Sequence, residues 1–271
     1  DSFYNSEVLY TLFMDQIFEI ITLLALIIIQ SIFGVGLLLF GTPSFLVMGY
    51  DFANTINILM PVSITISVLQ FFKSKIKDKK FISEYNLFCL PFLVFFLVIA
   101  LKFKYILNFK LLVGLLLVFS SILILNKRRF SSFKETFFRF KKIFLIGIGC
   151  IHGLTNMGGS FLAVYSTLVS QNKKEIARYY ICYGYLIMGV LQYLTVLLLS
   201  FETLIFTKLF YILLALIIYF PSQKLFENIK DKKFSKYINI IALIYGLIIL
   251  FIYYWEKFIF LWRGFSFIVF I

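Results

Sequence analysis

Charged side chains are scarce in this chain, and their scarcity excludes an ordinary soluble globular protein. Only 14% of the 271 residues are charged, 62% are hydrophobic, and the mean hydropathy is +0.97. A soluble domain is about one quarter charged and about half apolar. Residues 20–50 and 143–172 contain no charged side chain at all. The sequence therefore predicts an all-α polytopic membrane protein.

Cysteine and histidine are too few and too dispersed for metal or nucleophilic chemistry. Cys89, Cys150 and Cys182 lie far apart in apolar segments, without a metal-ligand spacing. The single histidine, His152, is two residues from Cys150, so on a helix the two would face different sides. No carboxylate is placed to orient them, and there is no P-loop. We expect no enzyme, no cofactor and no metal.

The net charge of +13 does not indicate nucleic acid as a partner, because the basic residues lie in short loops between apolar segments. That distribution is typical of the cytoplasmic loops of membrane proteins, where anionic lipid headgroups are the neighbours.

Both uncharged segments are too long for one transmembrane helix, and glycine interrupts each. A helix over the 31 residues 20–50 would measure about 46 Å, against a hydrocarbon core of about 30 Å. GVGLLLFGTPSFL (34–46) and GLTNMGGSFL (153–162) share the skeleton G-x4-G-[TG]-(P)-S-F-L, which starts at Gly36 and at Gly153. Interrupted apolar segments in matching halves are typical of transporter binding sites.

The distribution of Lys and Arg favours hairpins over full crossings for these two segments. Six ordinary spans are predicted at 52–72, 85–103, 107–125, 179–201, 204–222 and 237–255. If all eight segments cross, 15 Lys and Arg lie inside and 11 outside; if the broken segments return to their own face, the division is 20 to 6. We therefore expect re-entrant hairpins at about 20–50 and 143–172, with eight full crossings as the alternative.

Three spans after each hairpin would give the two halves opposite orientations, which is an inverted repeat. The predicted units are a first repeat at 1–125, a basic cytoplasmic linker at 126–142, a second repeat at 143–255 and an interfacial tail at 256–271.

Helix-start signals within the breaks predict an anion site. Thr42 would be an N-cap and Pro43 a first helical residue, and Gly159 or Ser160 would cap the equivalent helix in the second half. Two helix N-termini meeting from opposite sides would bind an anion without a fixed cation, since no buried Lys or Arg is expected in the spans. The alternative is that the glycines only permit tight helix packing.

Polar residues near the breaks complete the predicted site. His152 would donate to an anion, carry a coupling proton, or serve as a neutral structural residue. Asn54 and Asn57 either line the same cavity or pair with backbone. The predicted substrate-binding residues are Gly36, Gly41, Thr42, Pro43, Ser44, Asn54, Asn57, His152, Gly153, Thr155, Asn156, Gly158, Gly159 and Ser160. Further candidates are Tyr183, Tyr185, Gln192 and Tyr193.

The segments GVGLLLFGTPSFLVMGYDFANTI (34–56) and HGLTNMGGSFL (152–162) each open a half of similar length. They resemble the sulfite exporter TauE/SafE family of bacterial anion permeases. The resemblance implies a multi-pass protein of the bacterial inner membrane that transports sulfur-containing anions such as sulfite or an organosulfonate.

The expected function is that of a secondary transporter or facilitator whose partners are a small anion and membrane lipids. An inside-negative potential favours anion export by about 2.3 kcal/mol per charge per 100 mV. The alternative is an anion channel, or a membrane assembly factor without specific transport.

Overall fold

The protein is helical wherever the structure describes it. A computed structural model describes residues 2–103, 138–171, 173–199 and 206–230, with separate helical positions between 111 and 118 and between 236 and 255. These residues are 88% helical and include no strand. Five described helical spans are long and apolar enough to cross a membrane. The predicted all-helical class is confirmed, and the five apolar spans are compatible with a membrane protein.

The first half contains five described helices. Their bounds are Ser2–Phe33 (α1), Leu37–Val47 (α2), Phe52–Lys73 (α3), Lys79–Phe88 (α4) and Leu90–Lys102 (α5). The span predicted at 52–72 is α3, and the span predicted at 85–103 corresponds to α4 and α5, which are separated only at Cys89. The span predicted at 107–125 lies almost wholly outside the described residues.

The second half begins with the same order of elements. Their bounds are Lys141–Thr155 (α6), Gly159–Val169 (α7), Lys174–Leu199 (α8), a 3-10 helix at Phe206–Phe210, and Tyr211–Asn228 (α9). Because α8 begins before the predicted span 179–201, Arg178 lies in a helix rather than in a loop. Most of the linker 126–142 and of the span 237–255, and all of the tail 256–271, lie outside the described residues.

The two broken segments repeat their boundaries at a constant spacing. Each consists of a helix, a three-residue break, a helix of 11 residues and a four-residue turn into a long helix. Every boundary recurs 122 residues later (155 less 33, for example), in the pairs Phe33 and Thr155, Leu37 and Gly159, Val47 and Val169, and Phe52 and Lys174. The second residue of each turn has a positive φ, 94° at Gly49 and 53° at Gln171.

The first break lies earlier than the helix-start signal predicts. Gly36 has φ 149°, and a Cβ there would lie 2.5 Å from Cγ2 of Ile29, so the chain needs glycine where α2 begins. The prediction that Thr42 caps a helix starting at Pro43 is therefore wrong, because both residues lie inside α2. The hydroxyl of Ser44 donates to the carbonyl of Phe40 over 2.9 Å, next to the place where proline interrupts the backbone bonds.

In the second break the predicted N-cap, Gly159 or Ser160, lies one or two residues too late. The N-cap of α7 is Gly158, and Asn156 ends α6 in the left-handed conformation with φ 60°. The constant spacing pairs Gly36 with Gly158, so the match of Gly36 with Gly153 from the shared skeleton is also wrong.

The ends of the long helices gather in two groups, which we name the Glu19 face and the Asp78 face. On the Glu19 face, the hydroxyl of Tyr50 in the turn after α2 donates to Glu19 of α1 over 2.6 Å. On the Asp78 face, Tyr180 near the start of α8 donates to Asp78 over 2.7 Å. Lys174 donates over 2.8 Å to the carbonyl that follows α9. The long helix α3 therefore runs from the Glu19 face to the Asp78 face, and α8 runs back.

In each broken segment, the part that follows the break and the part that precedes it have contacts on the same face. The contact of Tyr50 with Glu19 brings the end of α2 back beside α1. In the second half, Lys141 at the start of α6 pairs with Glu84 of α4 over 2.7 Å. The ring of Phe81, also on α4, lies 6.2 Å from that of Tyr165 on α7. These contacts of the first segment thus lie on the Glu19 face, and those of the second lie on α4 at the Asp78 face.

Candidate functional site

Buried polar side chains surround the second break, and we name them the second-break cluster: Thr42, His152, Asn156, Tyr185 and Gln192. Nε2 of His152 lies 2.9 Å from Oε1 of Gln192. The side-chain amide of Asn156 donates to the hydroxyl of Thr42 over 2.9 Å, which joins the second half to α2. Each of the five side chains is buried.

Three polar atoms of this cluster have no hydrogen-bond partner among the described residues. They are Nδ1 of His152, Oδ1 of Asn156 and the hydroxyl of Tyr185. A buried polar group left without a partner costs roughly 1–3 kcal/mol. Native structures keep such groups mainly where a water, an ion, a ligand or a functional constraint accounts for them.

The hydroxyl of Tyr185 lies against the backbone at the start of α7. A Cβ built on Gly159 would collide with that hydroxyl oxygen, so a larger residue fits here only if the buried Tyr185 ring moves. A Cβ on Gly158 would lie 2.5 Å from Cβ of His152. The two glycines of the second break therefore bring helix backbone into direct contact with the second-break cluster.

A second set of polar side chains, the first-break cluster, lies where α1 ends: Gln30, Ser63, Ser67 and Gln70. The amide of Gln30 donates to the hydroxyl of Ser63 over 2.9 Å, and its carbonyl oxygen accepts the N–H of Leu37 over 3.2 Å. Gln30 thereby satisfies one of the free N–H groups at the start of α2. Gln70 donates to the backbone carbonyl of Gln30 over 2.8 Å.

The two clusters correspond under the 122-residue spacing. Gln30 is paired with His152, and Gln70 is paired with Gln192. Gln70 donates to the backbone carbonyl of Gln30, and Gln192 donates to the backbone carbonyl of His152 over 3.4 Å. The same long-range contact is thus made in each half.

Arg178 of α8 lies partly buried beside the end of α1, contrary to the expectation that the spans hold no buried Lys or Arg. Its Nη2 donates to the carbonyl of Ser31 over 2.7 Å and to Oε1 of Gln223 over 2.8 Å. The guanidinium carbon lies 4.0 Å from the ring centroid of Phe226. Arg178 and Gln70 both line a cleft of about 370 Å³ on the Asp78 face.

Glu19 is 1% exposed and is bound by three side chains. The ammonium of Lys208 lies 2.7 Å from both carboxylate oxygens, and Tyr50 and Tyr211 donate over 2.6 Å and 2.8 Å. These contacts join α1 and the turn after α2 to the start of α9. A cleft of about 550 Å³ lies beside them on the Glu19 face, lined also by Asn54.

Asp78, which gives the other face its name, lies in the connection between α3 and α4. Burial alone would raise the pKa of its carboxyl group, but hydrogen bonds from the N–H of Phe81 and the hydroxyl of Tyr180 outweigh that effect and lower the pKa. The carboxylate therefore remains ionised and anchors the start of α8 on this face.

The structure brings five of the predicted site residues together at the second break: Thr42, His152, Asn156, Gly158 and Gly159. Two more have hydroxyls bound to backbone there. Thr155 donates to the carbonyl of Ile151 and accepts the N–H of Met157, and Ser160 donates to the carbonyl of Met157. Pro43 and Ser44 follow Thr42 within α2, and Asn57 is buried in α3.

Other predicted site residues lie elsewhere or have a packing role. Asn54 lies on the Glu19 face, where it donates to Asp51. A Cβ on Gly153 would lie 2.4 Å from the carbonyl oxygen of Leu93, so this glycine permits close contact of α6 with α5. A Cβ on Gly41 would lie 2.9 Å from both methyl groups of Leu59, so this glycine permits close packing of α2 against α3.

The two helix N-termini do not meet at the contact between the halves. Thr42 lies five residues into α2, so its bond to Asn156 places the second break beside the middle of α2. The predicted anion site made of two facing N-termini is therefore not formed there.

Sequence reasoning missed Gln30, Gln70, Arg178 and Glu19. The two glutamines carried a usable signal, since each is an amide within a long apolar segment. Arg178 carried none, because its position next to Lys173 and Lys174 is typical of a cytoplasmic loop.

Comparisons of the chain with protein-family models, with curated proteins and with solved structures found no match.

Proposed function

We propose that the protein is a secondary transporter or facilitator that moves a small anion across a bacterial inner membrane. The observation that carries the proposal is the pair of broken segments, which share their boundaries at a spacing of 122 residues and have these contacts on opposite faces. Helices interrupted at matching positions supply a transporter with backbone groups that are free to meet a substrate inside the membrane.

In this proposal the chain is an inverted repeat of one hairpin and three spans in each half. The paired contacts of Gln70 and Gln192 support a common origin for the two halves. The Asp78 face is cytoplasmic, because the loops 73–80, 126–142, 172–178 and 223–236 carry 20 of the 26 Lys and Arg.

The proposed substrate is a sulfur-containing anion such as sulfite or an organosulfonate. It is supported by the resemblance of residues 34–56 and 152–162 to the TauE/SafE family and by the positive charge of Arg178 beside the first break. Export is the favoured direction, since an inside-negative membrane drives anions outward. No catalytic role and no cofactor are part of the proposal.

Counterflow in proteoliposomes tests this function directly. Vesicles preloaded with each unlabelled anion of a panel (sulfite, thiosulfate, ethanesulfonate, sulfate and acetate) receive the same labelled anion outside. Saturable uptake of at least one sulfur-containing anion, absent from protein-free vesicles, is expected. Uptake that never saturates would favour a channel, and no uptake of any anion would favour an assembly factor and overturn the proposal.

A further inference from the structure

We infer that Arg178 binds the transported anion, in the cleft on the Asp78 face beside the first break. This inference rests on the proposed function and says where the substrate binds. The juxtaposition that carries it is a partly buried guanidinium between the end of α1 and an open cleft, with most of its donors unused.

Arg178 retains donors for a ligand. A guanidinium has five N–H groups, and only Nη2 makes hydrogen bonds to other described residues. Nε is buried and has no hydrogen-bond partner in the part of the chain that the structure describes. These remaining groups, on Nε and Nη1, can donate charge-assisted hydrogen bonds to oxyanion oxygens.

Arg178 also forms no ion pair among the described residues. Glu227, which lines the same cleft, lies instead 3.9 Å from Lys73 at the exposed rim. A cation within an apolar helix is expensive to place, and such residues mark substrate or ion pathways in membrane proteins. An anion from solution would supply the missing counter-charge.

The guanidinium is held in place before any ligand arrives. The carbonyl of Ser31 and the amide oxygen of Gln223 fix Nη2, and the ring of Phe226 supports the guanidinium from one side. Because Ser31 lies three residues before the first break, an anion on Arg178 would lie next to the backbone that reverses direction there. Binding would therefore affect the hairpin itself.

Gln70 restricts the charge of the anion. Its amide nitrogen donates to the carbonyls of Gln30 and Ser31, so its orientation is fixed and Oε1 is left as an unpaired acceptor. Oε1 of Gln70 and Cγ of Arg178 lie 3.6 Å and 3.4 Å from the point that a Cβ on Gly34 would occupy. A ligand bound there must turn a proton or an apolar group toward Gln70. A monoanion satisfies both side chains, because its ionised end can bind Arg178 while its uncharged end faces Gln70.

Among the described residues, only the first break has such a cation. The 122-residue spacing pairs Arg178 with Ile56, whose side chain is fully buried. The proposal therefore gives the protein one anion site, although it has two hairpins.

The test compares wild-type protein with Arg178→Lys, Arg178→Gln and Lys75→Gln in the counterflow assay, at a pH where sulfite is its monoanion. Lys75 lines the same cleft but is exposed, so Lys75→Gln removes the same charge without touching the guanidinium site. We expect a KM at least 10-fold higher for Arg178→Lys, at least 100-fold lower flux for Arg178→Gln, and less than 2-fold change for Lys75→Gln.

A second readout separates binding from folding. Saturating anion should raise the melting temperature of the purified wild-type protein and of Lys75→Gln in detergent, but not that of Arg178→Gln. If Arg178→Gln does not remain monodisperse, Arg178→Lys decides the question by its KM and by a weaker thermal shift.

The outcomes are distinct. If the wild-type protein transports an anion and both Arg178 variants keep its KM, the inference is wrong while the proposed function stands. Equal losses of flux in Arg178→Gln and Lys75→Gln would show that general surface charge, and not a specific site, attracts the anion. That result would also overturn the inference. Preference for the dianions sulfate and thiosulfate over monoanions would contradict the role of Gln70. No transport by the wild-type protein would overturn the proposed function itself.

Discussion

Gln192 lies 122 positions after Gln70 and makes the same kind of contact: Gln70 donates its amide to the backbone carbonyl of Gln30, and Gln192 donates its amide to that of His152, which corresponds to Gln30 in the second half. Gln192 goes further than Gln70, because its Oε1 also binds Nε2 of His152 over 2.9 Å. It is the only partner of the His152 ring nitrogens among the described residues, as Nδ1 has none.

Replacing Gln192 by leucine should therefore destabilise the protein. Both nitrogens of a fully buried imidazole would lack partners, which costs roughly 1–3 kcal/mol. Thermal unfolding in detergent should show a lower midpoint for Gln192→Leu. Thr195→Val is the matched control, since that hydroxyl binds only its own helix at Leu191. Equal midpoints for the two variants would show that the imidazole does not depend on Gln192.

The ion pair of Glu19 with Lys208 should behave as a buried pair. Lys208→Met leaves a carboxylate that is 1% exposed without its cation, and we expect a loss of roughly 3 kcal/mol. Adding Glu19→Gln should restore part of the loss, because no buried charge then remains. Chemical denaturation of the two single variants and the double variant measures this coupling. Additive losses would mean that the two side chains act independently.

Lys141 provides the comparison for that pair. It binds Glu84 at the same 2.7 Å, but the side chain of Glu84 is 18% exposed rather than 1%. Solvent screens the more exposed pair, so Lys141→Met should cost less than Lys208→Met. A larger loss for Lys141→Met would contradict the assignment of the Glu19 pair as the more deeply buried one.

Gly159→Ala should be among the most damaging small substitutions in the chain. Its Cβ would lie 1.6 Å from the hydroxyl oxygen and 2.4 Å from Cζ of Tyr185, and the resulting overpacking costs roughly 1–3 kcal/mol. Gly147→Ala in α6 is the control, since nothing lies within 4 Å of its Cβ and alanine favours a helix by about 0.5–1 kcal/mol. The two variants should shift the unfolding midpoint in opposite directions, and counterflow should be lost only in Gly159→Ala.

Cysteine labelling should place both ends of the first broken segment on one face. In a background without Cys89, Cys150 and Cys182, single cysteines at Gln16 and Met48 should react with an impermeant reagent from the same side of sealed vesicles. Both positions line the cleft on the Glu19 face. Met48 is preferred to the nearby Asp51 as the labelling position, because Asp51 caps α3 by accepting the N–H of Asn54 and its replacement would disturb the start of that helix.

A third cysteine, at Lys75, should react from the opposite side, because that residue lines the cleft on the Asp78 face. Reaction of Gln16→Cys and Met48→Cys from different sides would support full crossing of the first segment. It would also remove the basis of the hairpin topology.

The existence of the two breaks could be predicted from the sequence, but the start of α2 could not. Thr42-Pro43-Ser44 has the local chemistry of a helix start, yet α2 begins at Leu37. Its first N–H is satisfied by the side chain of Gln30, seven residues earlier and on another helix. Local rules describe caps within a few residues, so a cap supplied across a break is beyond them.

The candidate site was predicted in part for a similar reason. The sequence predicts His152, Asn156 and Thr42 as site residues because they are polar residues in apolar surroundings, and the structure brings them together. The sequence favours a loop for Arg178, because its neighbours are charged. Only the packing of α8 against the end of α1 places its guanidinium on the carbonyl of Ser31.

The glycines of α6 also bear on movement. Positions 149 and 153 let the backbone of α6 touch that of α5, since a Cβ on Gly149 would collide with the carbonyl oxygen of Cys89 and one on Gly153 with that of Leu93. Helices in backbone contact slide or separate only at the cost of their whole interface. In the proposed transport cycle, α5 and α6 would therefore move together as one rigid body. The hinge would fall at residues 156–158, where Asn156 already has the left-handed backbone of a chain that has left its helix.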